Sequence, residues 1–304
     1  MPVTLTGPSW TAMIARLRSA GCVFAEDEAR LLADAAESHA DLAAMVDRRA
    51  AGLPVEHVIG WAGFCGLRLA VEPGVFVPRP RSEFLVREAL RLARQDQPGR
   101  AGQLPVIVDL CCGTGAIGAA LAAALGTAEL HAADIDPAAV RCARRNLAAR
   151  GARVYQGDLF DPLPAALRGR VTLLVADAPY VPTGQIALLP PEARLHEARA
   201  ALDGGADGLS VIRRIAAVAP CWLAPGGHLL VEASSGQAAD AAAVLAGQGL
   251  MPSVTSSEDL GATVVGGTRR PASRDGSGRH ADGCGGAGCD ADGCGRAGCG
   301  TVVG

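Results

Sequence analysis

Four aspartates fall where an apolar run gives way to a turn, and each setting suits a nucleoside-bearing ligand or its reaction partner. Asp109 lies in Val106-Ile-Val-Asp-Leu-Cys-Cys-Gly-Thr-Gly-Ala-Ile-Gly118, which reads as a strand, a glycine turn and a helix start. Glycines there let the backbone take positive φ and approach a ligand. The free amides of the helix N-terminus would then face it. Asp134 follows the next strand at the distance where an acid binds ribose hydroxyls. Asp158, in Gln156-Gly-Asp-Leu-Phe160, is placed to accept a hydrogen bond from an adenine amino group, with Leu159 and Phe160 flanking the ring. Asp177 opens the segment Asp177-Ala178-Pro179-Tyr180. Its carboxylate and the adjacent backbone carbonyl can each accept one hydrogen of an NH₂ group. Pro179 stiffens the turn and Tyr180 offers a flat wall. Group transfer to that nitrogen would then proceed by positioning, with no metal required.

Two cofactor classes compete for the glycine loop. Gly113-x-Gly115-x-x-Gly118 matches the dinucleotide fingerprint, and both classes use an acid at the position of Asp134. Asp109 separates them. A dinucleotide brings a pyrophosphate to this turn, where a carboxylate would repel it. A methyltransferase uses an acid there to organise the loop and the methionine end of S-adenosylmethionine. Taken singly, each motif is also an ordinary strand-end turn or turn carboxylate. Together they lie along successive carboxyl ends of strands, the binding crevice of an open α/β sheet.

The elements that must position these residues follow from periodicity. Residues 9–51 read as helical, with apolar spacing through Trp10, Met13, Ile14 and Leu17, then Leu31, Leu32 and Ala35. Gly21 separates the first two segments, and Asp41 is the predicted N-cap of a third. Residues 58–77, broken by Gly60, Gly63, Gly66 and Gly74, predict a hairpin and a connection. Pro78-Arg79-Pro80 ends any strand, Ser82 is the predicted cap of a helix over 83–94, and 95–104 is a polar loop. Strands at 106–108, 130–133, 154–155, 171–176, 228–232 and 262–265 alternate with helices at 116–125, 137–150, 209–223 and 237–245. That alternation predicts a parallel sheet with covering helices.

Composition bounds the function. The 304 residues are 49% hydrophobic but only 3% aromatic, so Ala, Val and Leu must fill the core. A net charge of −3 argues against a broad nucleic-acid surface, and the basic residues are all arginine. Residues 1–10 lack a secretory pattern and no run is long enough to span a membrane, so a soluble, cytoplasmic chain is expected. His57 and His131 sit away from the proposed chemistry and read as structural or exposed. Residues 281–290 are nearly repeated at 291–300, and this glycine-rich tail predicts disorder. Cys284, Cys289, Cys294 and Cys299 in the tail lack the usual zinc spacing, and soft-metal binding is the alternative there.

Over about 9–268 the sequence resembles the protein-(glutamine) methyltransferases that modify release factors and a ribosomal protein. The resemblance is carried by Pro54-Val-Glu-His-Val-Ile-Gly60, by Phe64 and Gly66, and by Gly74-Val-Phe-Val-Pro-Arg-Pro-Arg-Ser-Glu83. The glycine loop and the tetrapeptide at 177–180 belong to it as well. It implies an α/β class I methyltransferase, Rossmann-like, with a seven-stranded mostly parallel sheet and a small N-terminal helical domain. The implied domains are a helical unit at 1–53 that recognises substrate, a hairpin and linker at 54–82, a methyltransferase domain at 83–268 and the tail at 269–304. S-adenosylmethionine contacts are expected from Asp109, Cys111, Gly113, Thr114, Gly115, Asp134, Asp158, Leu159 and Asp177. Asp177, Ala178, Pro179 and Tyr180 are the expected catalytic residues, acting on a glutamine amide of a translation factor or ribosomal protein. Two positions depart from the family pattern. Cys111 stands where glycine is usual, and Asp177-Ala178 replaces Asn-Pro. Adenine methylation and an inactive cofactor-binding module are the alternative functions.

Overall fold

The computed structural model describes residues 7–96 and 103–271. Its centre is β3 (Val106–Leu110), whose five residues are all buried, as expected of a strand covered on both faces. Around it run β4 (Glu129–Asp134), β5 (Arg153–Gln156), β6 (Val171–Ala176), β7 (Leu223–Ala233), β8 (Met251–Ser257) and β9 (Ala262–Thr268). The sheet order is β5-β4-β3-β6-β7-β9-β8, parallel from β5 to β7 and antiparallel for β9 and β8. The chain leaves β3 toward β4 on one side and meets β6 on the other. That switch opens a crevice at the strand carboxyl ends.

Helices α5 (Glu83–Asp96), α6 (Ala116–Leu125) and α7 (Pro137–Leu147) accompany one core cluster, with Leu85, Ile117, Leu121 and Leu147 buried among strand residues. α9 (Ser210–Trp222) and α10 (Ala238–Gly247) supply the other, including Ile212, Ile215, Trp222 and Leu245. In α6 three alanines and Gly118 share the buried face with Ile117 and Leu121, so small and aliphatic side chains substitute for the missing aromatics. Asp136 caps α7 by accepting the Ala138 N–H, with Pro137 at the first turn.

The N-terminal helices are α1 (Gly7–Ser19), α2 (Ala25–Ala35) and α3 (His39–Ala50), followed by a short α4 (Val55–Ile59). Val55 and Val58 of α4 are buried with Leu17, Leu32 and Val46, so helical structure continues beyond residue 53. The hairpin expected from residue 58 is β1 (Trp61–Phe64) and β2 (Leu67–Ala70). Its turn, Cys65-Gly66, has φ of 47° and 72°, the two-residue geometry that matches strand twist. Asn146 of α7 clamps this hairpin, holding the N–H and C=O of Ala70 and the carbonyl of Thr114.

Several local expectations are corrected. Ser38, not Asp41, caps α3, accepting the Asp41 N–H through its hydroxyl, while Asp41 accepts from the Glu37 N–H. Ser82 lies in a 3₁₀ turn, Pro80–Ser82, and its hydroxyl goes to Asp177. Residues 95 and 96 belong to α5, and 97–102 of the expected loop lie outside the described residues. β8 had no signal of its own because it is a largely exposed edge strand without an apolar face. α8 (Pro191–His196) is a further helix between β6 and α9. The predicted tail disorder and its cysteines fall almost wholly outside the described residues. Among the described residues no helix is long and apolar enough to cross a membrane.

Candidate active site

A cavity of about 290 Å³ opens at the carboxyl ends of β3, β4 and β6. Its walls include Cys111, Gly113, Thr114, Asp134, Asp158, Leu159 and Asp177. The glycine loop that forms its floor is held from within. Asp134 accepts the Gly113 N–H through Oδ2 at 2.8 Å and the Asp136 N–H through Oδ1 at 2.9 Å. Cys112 N–H donates to the carbonyl of Ala133, and Gly115 N–H to that of Cys112. The loop amides expected to face a ligand at these three positions are therefore engaged by the protein. What the loop offers the cavity is a close, curved surface. Cys111, Gly113 and Gly115 have φ of 53°, 52° and 77°, a region costly for a side-chain-bearing residue. Cys111 thus holds a left-handed backbone that glycine would take at lower cost.

Asp109 and Gly115 lie behind that surface. Asp109 is 1% exposed, and its Oδ2 accepts the Gly118 N–H at 2.8 Å. Its Oδ1 is buried with no hydrogen-bond partner, and burial pushes its carboxyl up to about 7. A Cβ on Gly118 would meet Asp109 Oδ2 at 3.0 Å, and one on Gly115 would meet Leu147 at the same distance. The fingerprint glycines thus serve packing as well as curvature. Asp158 pairs with Arg214 of α9 at 2.5 Å. Leu159 lines the cavity with a φ of 49°, whereas Phe160 does not flank it. Phe160 is buried and stacks on Trp222 at 5.3 Å between centroids.

A second cavity, about 210 Å³, adjoins the first and shares Phe76, Asp177, Pro179 and Ala201 with it. Ala178, Tyr180, Arg79, Arg81 and Leu189 complete much of its wall. The segment Pro78-Arg-Pro-Arg-Ser-Glu83 is the strap that assembles it. Arg79 bonds Glu197 at 2.6 and 2.7 Å, and Glu197 also accepts the Val77 N–H. Arg81 Nε donates to Glu232 Oε1 at 2.9 Å, and the Tyr180 hydroxyl donates to the same oxygen at 2.9 Å. Ser82 Oγ donates to Asp177 Oδ2 at 3.1 Å, and Glu83 accepts the Cys65 N–H. Burial and the nearby Glu232 carboxylate raise the Asp177 carboxyl, against the lowering effect of Ser82 and Arg81. Burial raises the Tyr180 phenol too, so it stays a hydrogen-bond donor.

All the expected site residues therefore lie in or just behind two adjoining cavities, apart from Phe160. Sequence reasoning missed Arg81, Ser82 and Glu232 as neighbours of the tetrapeptide. Glu232 had a signal, since it ends the apolar run His228-Leu-Leu-Val-Glu232 at a strand's carboxyl end. The pairing of Arg79 with Glu197 had none, because Glu197 is 118 residues away in an irregular stretch.

The fold and geometry agree with comparisons to known proteins. Residues 98–213 match the family described as the methyltransferase small domain. A release factor glutamine methyltransferase of Geobacter sulfurreducens is 39% identical over 226 residues, covering 73% of this chain and 76% of the relative. One from Mycolicibacterium smegmatis is 40% identical over 220 residues, covering 71% and 74%. A Streptomyces pristinaespiralis enzyme, named 4-amino-L-phenylalanine/4-methylamino-L-phenylalanine methyltransferase, is 40% identical over 205 residues, covering 67% and 69%. The chain belongs to the family of the release factor glutamine methyltransferases, class I enzymes that take their methyl group from S-adenosylmethionine.

Proposed function

We propose that the chain methylates the side-chain amide nitrogen of a glutamine in a protein substrate of the release-factor type. The observation that carries this reading is the meeting of the two cavities at Asp177 and Pro179, so that one segment borders both a cofactor-sized and a substrate-sized space. In this reading Cys111, Gly113, Thr114, Asp134, Asp158 and Leu159 border S-adenosylmethionine, and Asp109 and Gly115 hold the loop from behind. The residues present suit that ligand. The carboxylate of Asp134, on the cavity wall with lone pairs to spare, provides acceptors for the hydroxyl groups of its ribose end, while the unpartnered Oδ1 of Asp109 lies behind the loop.

S-adenosylmethionine supplies an activated methyl group, and this chain's residues supply position. Asp177 and the Ala178 carbonyl accept the two N–H hydrogens, which fixes the nitrogen and turns its lone pair toward the first cavity. Pro179 and Tyr180 hold the planar group from the side, and Glu232 fixes Tyr180 through its hydroxyl. Such positioning is a sufficient source of rate for an in-line displacement. We assign substrate recognition to the helical unit at 1–53, together with α4, whose core it shares. We place the reaction in the cytoplasm, where the Cys111 and Cys112 thiols beside the cavity stay reduced.

The test is methyl transfer from labelled S-adenosylmethionine into a bacterial extract, with Asp177→Ala as the control. A labelled protein that vanishes with the variant supports the reading. Label in nucleic acid would replace it with adenine methylation. Cofactor binding without label anywhere would leave an inactive binding module.

A further inference from the structure

Beyond positioning, an amide nitrogen has a handicap that the second cavity can relieve. It shares its lone pair with the carbonyl, which gives the C–N bond partial double-bond character. Attack becomes easier when one N–H proton leaves, and the negative charge left behind is shared with the carbonyl oxygen. That oxygen then needs a donor. Asp177 is placed to take the proton, and a cation close to Asp177 would meet the oxygen.

Two guanidiniums line the second cavity, those of Arg79 and Arg81, and they are committed differently. Arg79 is given over to Glu197, whose buried carboxylate it bonds through both oxygens at 2.6 and 2.7 Å. Arg81 gives only its Nε, at 2.9 Å, to the Glu232 oxygen that also accepts from the Tyr180 hydroxyl. Among the described residues no acceptor is paired with its two terminal nitrogens, and its side chain is 45% exposed. Its Cζ lies over the Tyr180 ring, 5.8 Å from the centroid, and its charge acts on Asp177. Arg81 therefore stands at the wall that flanks the substrate amide, with donors to spare.

We propose that Arg81 is a further catalytic residue, donating to the carbonyl oxygen of the substrate amide while Asp177 accepts the N–H proton. The inference rests on the reading that residues 177–180 cradle a glutamine amide. The step balances. One N–H proton passes to the ionised Asp177 carboxylate, and the electron pair of that bond stays on nitrogen, its charge shared with the oxygen beside Arg81. The nitrogen forms the new C–N bond as the S–C pair leaves with sulfur. The product amide is neutral and keeps one N–H, and Asp177 returns its proton to water. Negative charge thus moves from Asp177 toward a guanidinium, in a buried setting where such donors act more strongly than in water. Burial, with Glu232 of β7 and Asp109 of β3, raises the Asp177 carboxyl, while Ser82 and Arg81 of the strap lower it. The net rise makes it a better base than an ordinary aspartate.

The experiment uses the full chain, S-adenosylmethionine and an unmethylated bacterial release factor, and compares wild type, Arg81→Lys, Asp177→Asn and the double variant. Lysine keeps a positive charge against Glu232 but lacks the fork that serves two acceptors at once. Arg81→Lys is expected to lower kcat about tenfold or more, with KM changed less than about twofold. An asparagine at 177 cannot take the proton, so in that background the same change should cost less than about twofold. The kcat of wild type and of Arg81→Lys should fall as pH drops and Asp177 is protonated, and both asparagine variants should lack that acid limb. Affinity for S-adenosylhomocysteine equal to that of wild type, read by calorimetry, checks the fold of Arg81→Lys, since Arg81 does not line the first cavity. Arg81→Gln, neutral and of similar reach, is the second variant and should show the same dependence on Asp177. Losses that multiply across the two positions would overturn the inference and make Arg81 a support of Glu232 and Tyr180. So would an unchanged kcat in both Arg81 variants. Either result leaves the proposed function standing, whereas a release factor left unmethylated by wild type brings down both.

Discussion

Among single residues, Asp109 states the conflict between stability and binding most plainly. It sits in β3 with one oxygen satisfied and the other buried alone. Its carboxyl is raised from 3.8 to about 7 by that burial. An acid raised in the folded state weakens folding as it ionises. The cost is absent below the unfolded value, sets in as pH rises from 3.8 and is complete above about 7. Asp109→Asn does not ionise, so its stability relative to wild type should climb across that window, by up to roughly 4 kcal/mol. Urea denaturation at pH 4 and pH 8 measures the difference, and a gap that stays constant with pH would contradict the assignment. Affinity for S-adenosylmethionine should fall in the same variant. The sequence made Asp109, Asp134 and Asp177 legible because each is an acid at the end of an apolar run. It hid the roles of Arg81 and Ser82, since a strap residue's partner is set by where the chain returns and not by its neighbours in sequence.

At the scale of elements, the turn between β3 and α6 is the part that local rules describe best. Its glycines supply curvature, and Gly115 takes φ 77°. Its second constraint is tertiary and invisible to a pattern, because Leu147 of α7 fills the space where a Cβ would go. Gly115→Ala should therefore lose about 1–2 kcal/mol from the backbone conformation alone, with more from the contact with Leu147. A shift of the urea midpoint to lower concentration, with weaker cofactor binding, is the expected result. An unchanged midpoint would mean that the turn relaxes freely. Buried strands such as β6 were legible for the opposite reason, being continuous apolar runs. β8 was not, because an exposed edge strand needs neither an apolar face nor alternation. α4 was hidden too, since five residues give too short a window for helical periodicity.

For the molecule as a whole, one tie between the helical unit and the catalytic part is a buried cation. Arg49, 4% exposed, bonds both oxygens of Glu28 within the bundle, the Leu53 carbonyl, and Glu192 of α8 at the edge of the second cavity. Removing one partner of a buried ion pair leaves the other uncompensated, so Arg49→Ala should cost about 3–5 kcal/mol. Thermal unfolding would show this as a lower midpoint, and a variant as stable as wild type would mean that the bundle docks by its apolar contacts alone. This link is invisible to a reading of the chain, because Arg49 reads as one more surface arginine in α3. Two adjoining cavities thus meet at the sheet's carboxyl ends, and Glu192 at the edge of the second ties it to the helical unit. The most direct test of the account is to incubate the full chain with S-adenosylmethionine and purified unmethylated release factor, then map the product by fragmentation mass spectrometry. The expected product carries one added methyl group on the side-chain nitrogen of a glutamine. A methyl group on any other residue, or a release factor that stays unmodified while the cofactor is consumed on nucleic acid, would contradict it.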